Sequence, residues 1–397
     1  MRIVALHTDF RIYWPARLKA LNEALKRSGD TLHVIEIAGA GSPYSFAVKE
    51  KNTDLSWHIL FPDEKPENLS GAKIKPKLFS LLDELNPDVI IAGAIAFPSG
   101  ALATHWAHLK KKKIIIFDDA KINSVPRNFL VNLIKRSVYN EVDALLYPAE
   151  SWDNTGNFWG FDKERIFYGL DVVDNDFWGK SYHSKIKHDD FFVAVGRQVP
   201  KKNFLSIVKA YKRYINLLEP KDCVKLLLVG DGSEHEQIKQ YIHQNGLETH
   251  VMLLPFLKQE ELASVYQKAK ALIINSTAEE TWGLVINEAM AGGCPILASK
   301  QCGATDVLVR DEINGYTFNF NDIETLSNLM HRYCLLSPQQ QQAMRYASKE
   351  IIKEWGLPRF VQGCAEAINF VASNPKRKSS IMSRVICALW KGRYNPI

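Results

Sequence analysis

The sequence predicts an α/β protein of two doubly wound, Rossmann-like domains, each built on a parallel sheet. Three features predict it: apolar runs that are continuous rather than alternating, helical patterns between successive runs, and a turn-rich stretch near mid-chain. Continuous Val, Ile and Leu runs mark strands buried on both faces, the habit of parallel sheets. Helices between them supply the crossovers that such sheets require.

The runs of the first half are Ile3–Leu6, Leu32–Ile37, His58–Phe61, Val89–Ala92, Ile114–Phe117 and Ala144–Tyr147. Those of the second half are Phe191–Val195, Val224–Val229, Val251–Leu254, Ala271–Ile274 and Ile296–Ala298. Between the halves, Asp171–Asp190 (DVVDNDFWGKSYHSKIKHDD) follows neither period and is rich in turn residues, which marks a junction. A helical pattern from Pro358 to about Val371 then ends at Asn374-Pro375. The expected division is therefore a first domain over 1–175, a second over 176–373 and a basic tail over 374–397.

Composition bounds the function. The chain has 397 residues, enough for two or three domains at roughly 100–200 residues each. No run of about 18 apolar residues predicts a membrane span, and MRIVALHTDF enters a strand without the apolar core of a signal peptide. A cytoplasmic location is expected. Six cysteines form no CxxC pair and show no zinc spacing, so they read as reduced, mostly buried thiols. A net charge of +6 suits an anionic partner, but it is too diffuse for nucleic acid. His105 and His108 read as structural or surface residues.

Three clusters in the second half fall at the ends of strands. The richest is Ala278–Ala291, AEETWGLVINEAMA, after the strand ALIIN. A helix is expected from about Trp282–Gly283, with Glu280 just ahead of it and Glu288 about two turns in. A helix start presents unpaired N–H groups and partial positive charge, which suits a phosphate. Gly283 would let a ligand come close to the backbone. Carboxylates on both sides of a bound phosphate suit a sugar–diphosphate–ribose ligand. In the second cluster, VGRQVPKKN, Arg197 and Lys202 lie just beyond a strand's carboxyl end, where open α/β sheets bind ligands. Two cations there can neutralise a diphosphate without a metal, and no metal site or cofactor is expected. The third is Val229-Gly230-Asp231-Gly232, a weak signal without the rest of a GxGxxG pattern.

The segment from Glu280 to Glu288 resembles the E-x7-E signature of retaining GT-B glycosyltransferases, in particular glycosyltransferase family 4. VGRQVPKKN is similar to that family's G-R-x-x-x-x-K loop, with Gly196, Arg197 and Lys202 matching. GDGSE, the stretch Pro255 to Leu262, and Trp355 with Phe360 resemble later motifs, and VVDNDFW (Val172–Trp178) resembles the interdomain loop. The resemblance covers residues 190–370. It implies two facing domains, a C-terminal crossover helix near 358–373 and transfer of a sugar from a UDP or GDP donor with retention. Arg197 and Lys202 would hold the donor diphosphate, with Gly196 and Gly230 beside them. Glu288 would hold the ribose and Glu280 the sugar. The backbone of Thr281, Trp282, Gly283 and Leu284 would meet phosphates and sugar. The acceptor would be a glycan or lipid-linked molecule of cell-envelope polysaccharide synthesis.

Two features depart from that pattern. Where the family often carries a Gly-Gly loop, this chain has His7-Thr8-Asp9-Phe10-Arg11, and Arg11 could supply charge there. Where the family often has a His, it has Asp118-Asp119, which either grips sugar hydroxyls, giving Asp118 a catalytic place, or caps a turn. A nucleotide-sugar epimerase of the same fold and a catalytically silent nucleotide-sugar-binding subunit are the alternatives. Finally, 376–397 carries Lys376, Arg377, Lys378, Arg384, Lys391 and Arg393 with no acid, and its apolar residues recur with helical period. That reads as a separable helix for an anionic membrane surface, the alternative being an ordinary terminal helix packed on the protein, with Arg127–Val138 as a second such segment.

Overall fold

The structure, a computed structural model, describes residues 1–40, 55–124, 127–181, 190–217 and 223–394. Residues 182–189 of the expected junction lie outside the described residues. The chain divides into two compact units, Met1–Val172 with Leu357–Ile397, and Val173–Gly356.

The first unit holds a seven-stranded sheet of β1 (Arg2–His7), β2 (Thr31–Ala38), β3 (Ser56–Phe61), β4 (Val89–Ala92), β5 (Lys113–Phe117), β6 (Ala144–Tyr147) and β7 (Ile166–Tyr168). Their order is β3-β2-β1-β4-β5-β6-β7, and all pairings are parallel. The second unit holds six strands: β8 (Phe191–Val195), β9 (Lys225–Val229), β10 (Val251–Leu254), β11 (Ala271–Ile274), β12 (Ile296–Ser299) and β13 (Gly315–Phe318). These run β10-β9-β8-β11-β12-β13, again parallel throughout. The central strands are buried on both faces, as their unbroken apolar runs require.

The sequence does not show β7 and β13. β7 is the three residues Ile-Phe-Tyr, and β13 reads Gly-Tyr-Thr-Phe, so neither makes a recognisable apolar run. Both are outermost strands and need less apolar surface.

In each sheet the chain winds outward in two directions from one central strand. The order reverses between β1 and β4 in the first unit and between β8 and β11 in the second. Helices on either side of a reversal leave a crevice at the strands' carboxyl ends.

The helix Leu357–Ser373, bounded with the second domain but expected from the resemblance to cross back to the first, packs in the first unit. It buries Phe360, Cys364, Ala367, Ile368 and Val371 against β5, β6, β7 and the helix Trp14–Arg27. The tail differs from its expectation. It is not a separate appendage, because it folds back onto the first unit. Arg377 donates to the carbonyls of Tyr139 (3.1 Å) and Gly160 (2.6 Å), and its guanidinium lies 4.2 Å from the Phe161 ring centre. Lys376 donates to the Lys112 carbonyl. The helix Ile381–Leu389 buries Ser383 and Cys387, and Trp390 Nε1 donates to the Ile95 carbonyl at 2.6 Å. Two of the six tail cations are thus used to attach the tail.

Among the described residues, no helix is long and apolar enough to cross a membrane, and no cluster of His, Cys, Asp and Glu has the makeup of a metal site. The six cysteines are free thiols.

Candidate functional site

The reversal between β8 and β11 gathers most of the second unit's candidate residues. Beyond β8 the chain turns through Gly196–Asn203, with Pro200–Lys202 forming one tight helical turn. Beyond β11 it runs through Asn275–Leu284 before the helix Val285–Ala291. Thr277 N–H donates to the Lys201 carbonyl at 2.9 Å, tying the two segments together.

Across that tie, Lys202 Nζ lies 2.5 Å from Glu280 Oε2, each side chain being 13% exposed. Burial alone would push the Glu280 carboxyl up. Lys202 opposes it, with help from Lys201 and Arg197, and the net result is a carboxyl held below its ordinary range. Lys201 is pulled down by its own burial, against the attraction of Glu280. Three cations therefore lie around this largely buried carboxylate, and the exposed Glu279 also acts on Lys201. The surplus is positive and partly desolvated, which strengthens its attraction for an anion. Lys201 carries no mark in the sequence, because only Lys202 of the pair has the motif spacing.

The loop after β9 braces this arrangement. Gln198 is fully buried; its Nε2 donates to the Gly230 carbonyl at 3.0 Å, and its own carbonyl accepts from Glu234 N–H at 2.8 Å. Gly230 has φ +127°, and a Cβ there would lie 2.0 Å from the Gly196 carbonyl oxygen. Gly196 and Gly230 thus set how closely two strand ends approach, and Gln198, also missed, locks them.

The segment ahead of the helix differs from expectation. The helix begins at Val285, two to three residues after the predicted start, and is only seven residues long. Thr281–Leu284 form a loop held by the turn after β12: Gly303 N–H donates to the Glu280 carbonyl (3.1 Å) and Ala304 N–H to that of Trp282 (2.9 Å). The Trp282 side chain is core, its Nε1 donating to Asn287 Oδ1 at 2.8 Å and its ring 5.6 Å from that of Trp355. Only its backbone can serve a ligand. Gly283 has φ +98°, and a Cβ would meet Cys302 Sγ at 2.7 Å, so the fold itself demands this glycine. Glu288 is 3% exposed, and Tyr266 Oη donates to its Oε2 at 2.7 Å. Tyr266 was not anticipated.

Asp118 lies on the other unit, at the carboxyl end of β5. Its Oδ1 accepts from Ala120 N–H at 3.0 Å, a turn-forming bond, and its Oδ2 from Tyr139 Oη at 3.2 Å. Nearby Asp171 is pushed up to about 8 by burial and by Asp119, against the pull of Arg17 3.8 Å away. Arg11 is committed to the fold, donating to the Gly39 carbonyl at 2.8 Å and lying 3.3 Å from Asp9. His7 packs among Phe10, Trp14 and Phe117, and burial lowers it to about 4, so it stays neutral. His105 is buried edge-on to Phe79, and His108 pairs with Glu141 at 2.7 Å; both serve the fold.

This chain is similar to proteins that handle sugars. It is 28% identical over 181 residues to a poly(glycerol-phosphate) alpha-glucosyltransferase of Bacillus subtilis, covering 45% of this chain and 25% of that one. It is 29% identical over 151 residues to an alpha-monoglucosyldiacylglycerol synthase of Acholeplasma laidlawii, covering 37% and 35%. The match thus spans only about a quarter to a third of these relatives' own length. In fold it is similar to Anabaena HepE solved in complex with UDP, with a TM-score of 0.69 at 18% identity, covering 93% of this chain and all of that one. The two parallel α/β sheets and that likeness give the chain a GT-B fold. Residues 180–350, most of the second unit and all of its candidate cluster, match the model of the family described as glycosyl transferases group 1.

Proposed function

We propose that this chain transfers a sugar from a nucleotide-sugar donor to a glycan or lipid-linked acceptor, with retention at the anomeric carbon and without a metal. The carrying observation is the group of Arg197, Lys201 and Lys202 around Glu280 at the sheet's reversal point. In this reading the cations hold the donor diphosphate and neutralise the charge that grows on it as the glycosidic bond breaks. Such preorganised contacts act most strongly where charge develops. Glu280 accepts from a hydroxyl of the transferred sugar. Tyr266 aims Glu288 at the ribose. Because Lys202 is already paired with Glu280, a bound donor draws the lysine partly towards phosphate and leaves the carboxylate to the sugar.

The UDP complex of the structural neighbour supports a uridine donor over a guanosine one. The alpha linkage and the glycerol-phosphate and diacylglycerol in the relatives' names support a cell-envelope role and, from an alpha-linked donor, retention; a cytoplasmic place is part of the same proposal. Asp118, already engaged by Ala120 and Tyr139, is assigned to the acceptor side as a positioning residue.

The test is product analysis. Purified protein is incubated with UDP- or GDP-sugars and a diacylglycerol or glycan acceptor, with and without a chelator. Glycosylated acceptor of unchanged anomeric configuration, formed equally with chelator, is the expected result. Conversion of the donor's sugar into its epimer, without acceptor, would mean an epimerase. Loss of activity on chelation would refute the metal-free mechanism.

A further inference from the structure

Two helices of the first unit turn large apolar side chains to solvent. In Phe129–Tyr139, the exposed residues are Phe129 (72%), Leu130 and Leu133, while Lys135, Val138 and Tyr139 are buried. In Ile381–Leu389, Ile381 (79%), Met382, Val385 and Leu389 (74%) are exposed, while Ser383 and Cys387 are buried. The two helices pack against each other, and the Asn140 side-chain amide donates to Ser383 Oγ at 3.3 Å. A sequence reading finds two separate amphipathic segments; the fold makes them one face. Seven large exposed apolar side chains on two neighbouring helices exceed the scattered singles of an ordinary surface.

Within the two segments that carry that face, the charge has one sign. Arg136 and Arg384 are exposed, each one position from its helix's apolar arc by helical spacing, and Lys378, Lys391 and Arg393 are exposed beside the second helix. No acidic residue occurs in 127–140 or 376–394. A second copy of this chain is a poor occupant, because an isologous contact would set these cations against themselves.

We propose that this two-helix face docks on an anionic lipid bilayer. The aliphatic and Phe side chains enter the boundary between headgroups and acyl chains, and the arginines and lysines meet lipid phosphates. The attachment is shallow, reversible and salt-sensitive. Unlike a loose tail, the face is fixed to the body of the first unit by Arg377 and Trp390. The inference does not rest on the sugar-transfer reading, although docking would bring the enzyme to a lipid-linked acceptor.

The experiment is co-sedimentation of the full-length protein with vesicles of phosphatidylcholine alone or mixed with phosphatidylglycerol. The wild type should pellet with the mixed vesicles and not with phosphatidylcholine, and be released at high salt. Arg136→Gln with Arg384→Gln should weaken binding by roughly 30-fold, about fivefold for each cation. Leu130→Ser with Leu389→Ser should weaken it too. Both double variants change exposed positions, so their melting temperatures should match wild type, which separates a lost surface from a lost fold. Equal sedimentation of wild type and both variants would overturn the proposal, as would indifference to phosphatidylglycerol. A lipid-free dimer that the Leu→Ser pair dissolves would assign the face to a second copy and overturn it as well.

Discussion

Replacing Lys202 by Met keeps most of the side chain's carbon stem and removes its charge. Two effects should follow. The first is on stability. Lys202 and Glu280 are 2.5 Å apart and each 13% exposed, so the pair is largely out of water. Breaking a fully buried pair costs about 3–5 kcal/mol, because one charge is stranded. Here Lys201 and Arg197 still reach Glu280, so the expected cost is lower, about 1–2 kcal/mol. For a domain the size of the second unit that is a fall in melting temperature of about 2–8 °C. The second effect is on turnover. One lost contact to a developing anion costs about 3–4 kcal/mol, and therefore at least a hundredfold in kcat/KM. The assay is nucleoside diphosphate release, run well below the variant's melting temperature. Glu280→Gln is the control for the stability effect alone, since it breaks the same ion pair and leaves all three cations. If Lys202→Met loses stability but keeps activity within about threefold, the lysine is structural and the diphosphate assignment fails.

Further outcomes follow from the neighbouring geometry. Glu288→Ala should raise the donor KM more than it lowers kcat, because the ribose is unchanged in the reaction, whereas Glu280→Ala should act mainly on kcat; identical kinetic signatures would contradict their roles. Tyr266→Phe removes the 2.7 Å bond that aims Glu288 and should reproduce the KM effect in weaker form, roughly three- to tenfold, with kcat unchanged. Arg377→Ala removes charged hydrogen bonds to the Tyr139 and Gly160 carbonyls and should cost about 2–4 kcal/mol, read as a lower denaturation midpoint, whereas a dispensable tail would show no change. Asp171, held up at about 8, binds its proton more tightly folded than unfolded, where a carboxyl titrates near 4. Stability should therefore fall as pH rises from about 4 to 8 and level off above it; Asp171→Asn should flatten that slope in thermal melts at pH 5 and 9, and an unchanged slope would refute the cause.

The sheets were legible because buried parallel strands are apolar nearly throughout, as in KIIIF before Asp118 and KLLLV before Gly230. Only the edge strands Ile166–Tyr168 and Gly315–Phe318, which carry weaker apolar signals, escaped. At the site, Arg197, Lys202 and Glu280 were legible from motif spacing. The late helix start was not, because Gly303 and Ala304 hold Glu280 and Trp282 in a loop across some twenty residues of sequence. Gln198 was equally hidden, since a glutamine gives no sign that it is fully buried between two loops. In the tail, helical period showed an amphipathic helix but not its support. The inward face is only Ser383 and Cys387, small residues whose partner surface is more than two hundred residues away in sequence.

On the proposed function, the Arg197–Lys201–Lys202–Glu280 group holds a nucleotide-sugar diphosphate. Calorimetric titration of UDP-sugars and GDP-sugars into the full-length protein, in the presence of a chelator, tests it most directly. One nucleotide class should bind, and Lys202→Met should weaken that binding at least about tenfold, the equivalent of 1.4 kcal/mol. Absence of binding by every nucleotide sugar, or equal binding by wild type and Lys202→Met, would rule out this role for the cluster.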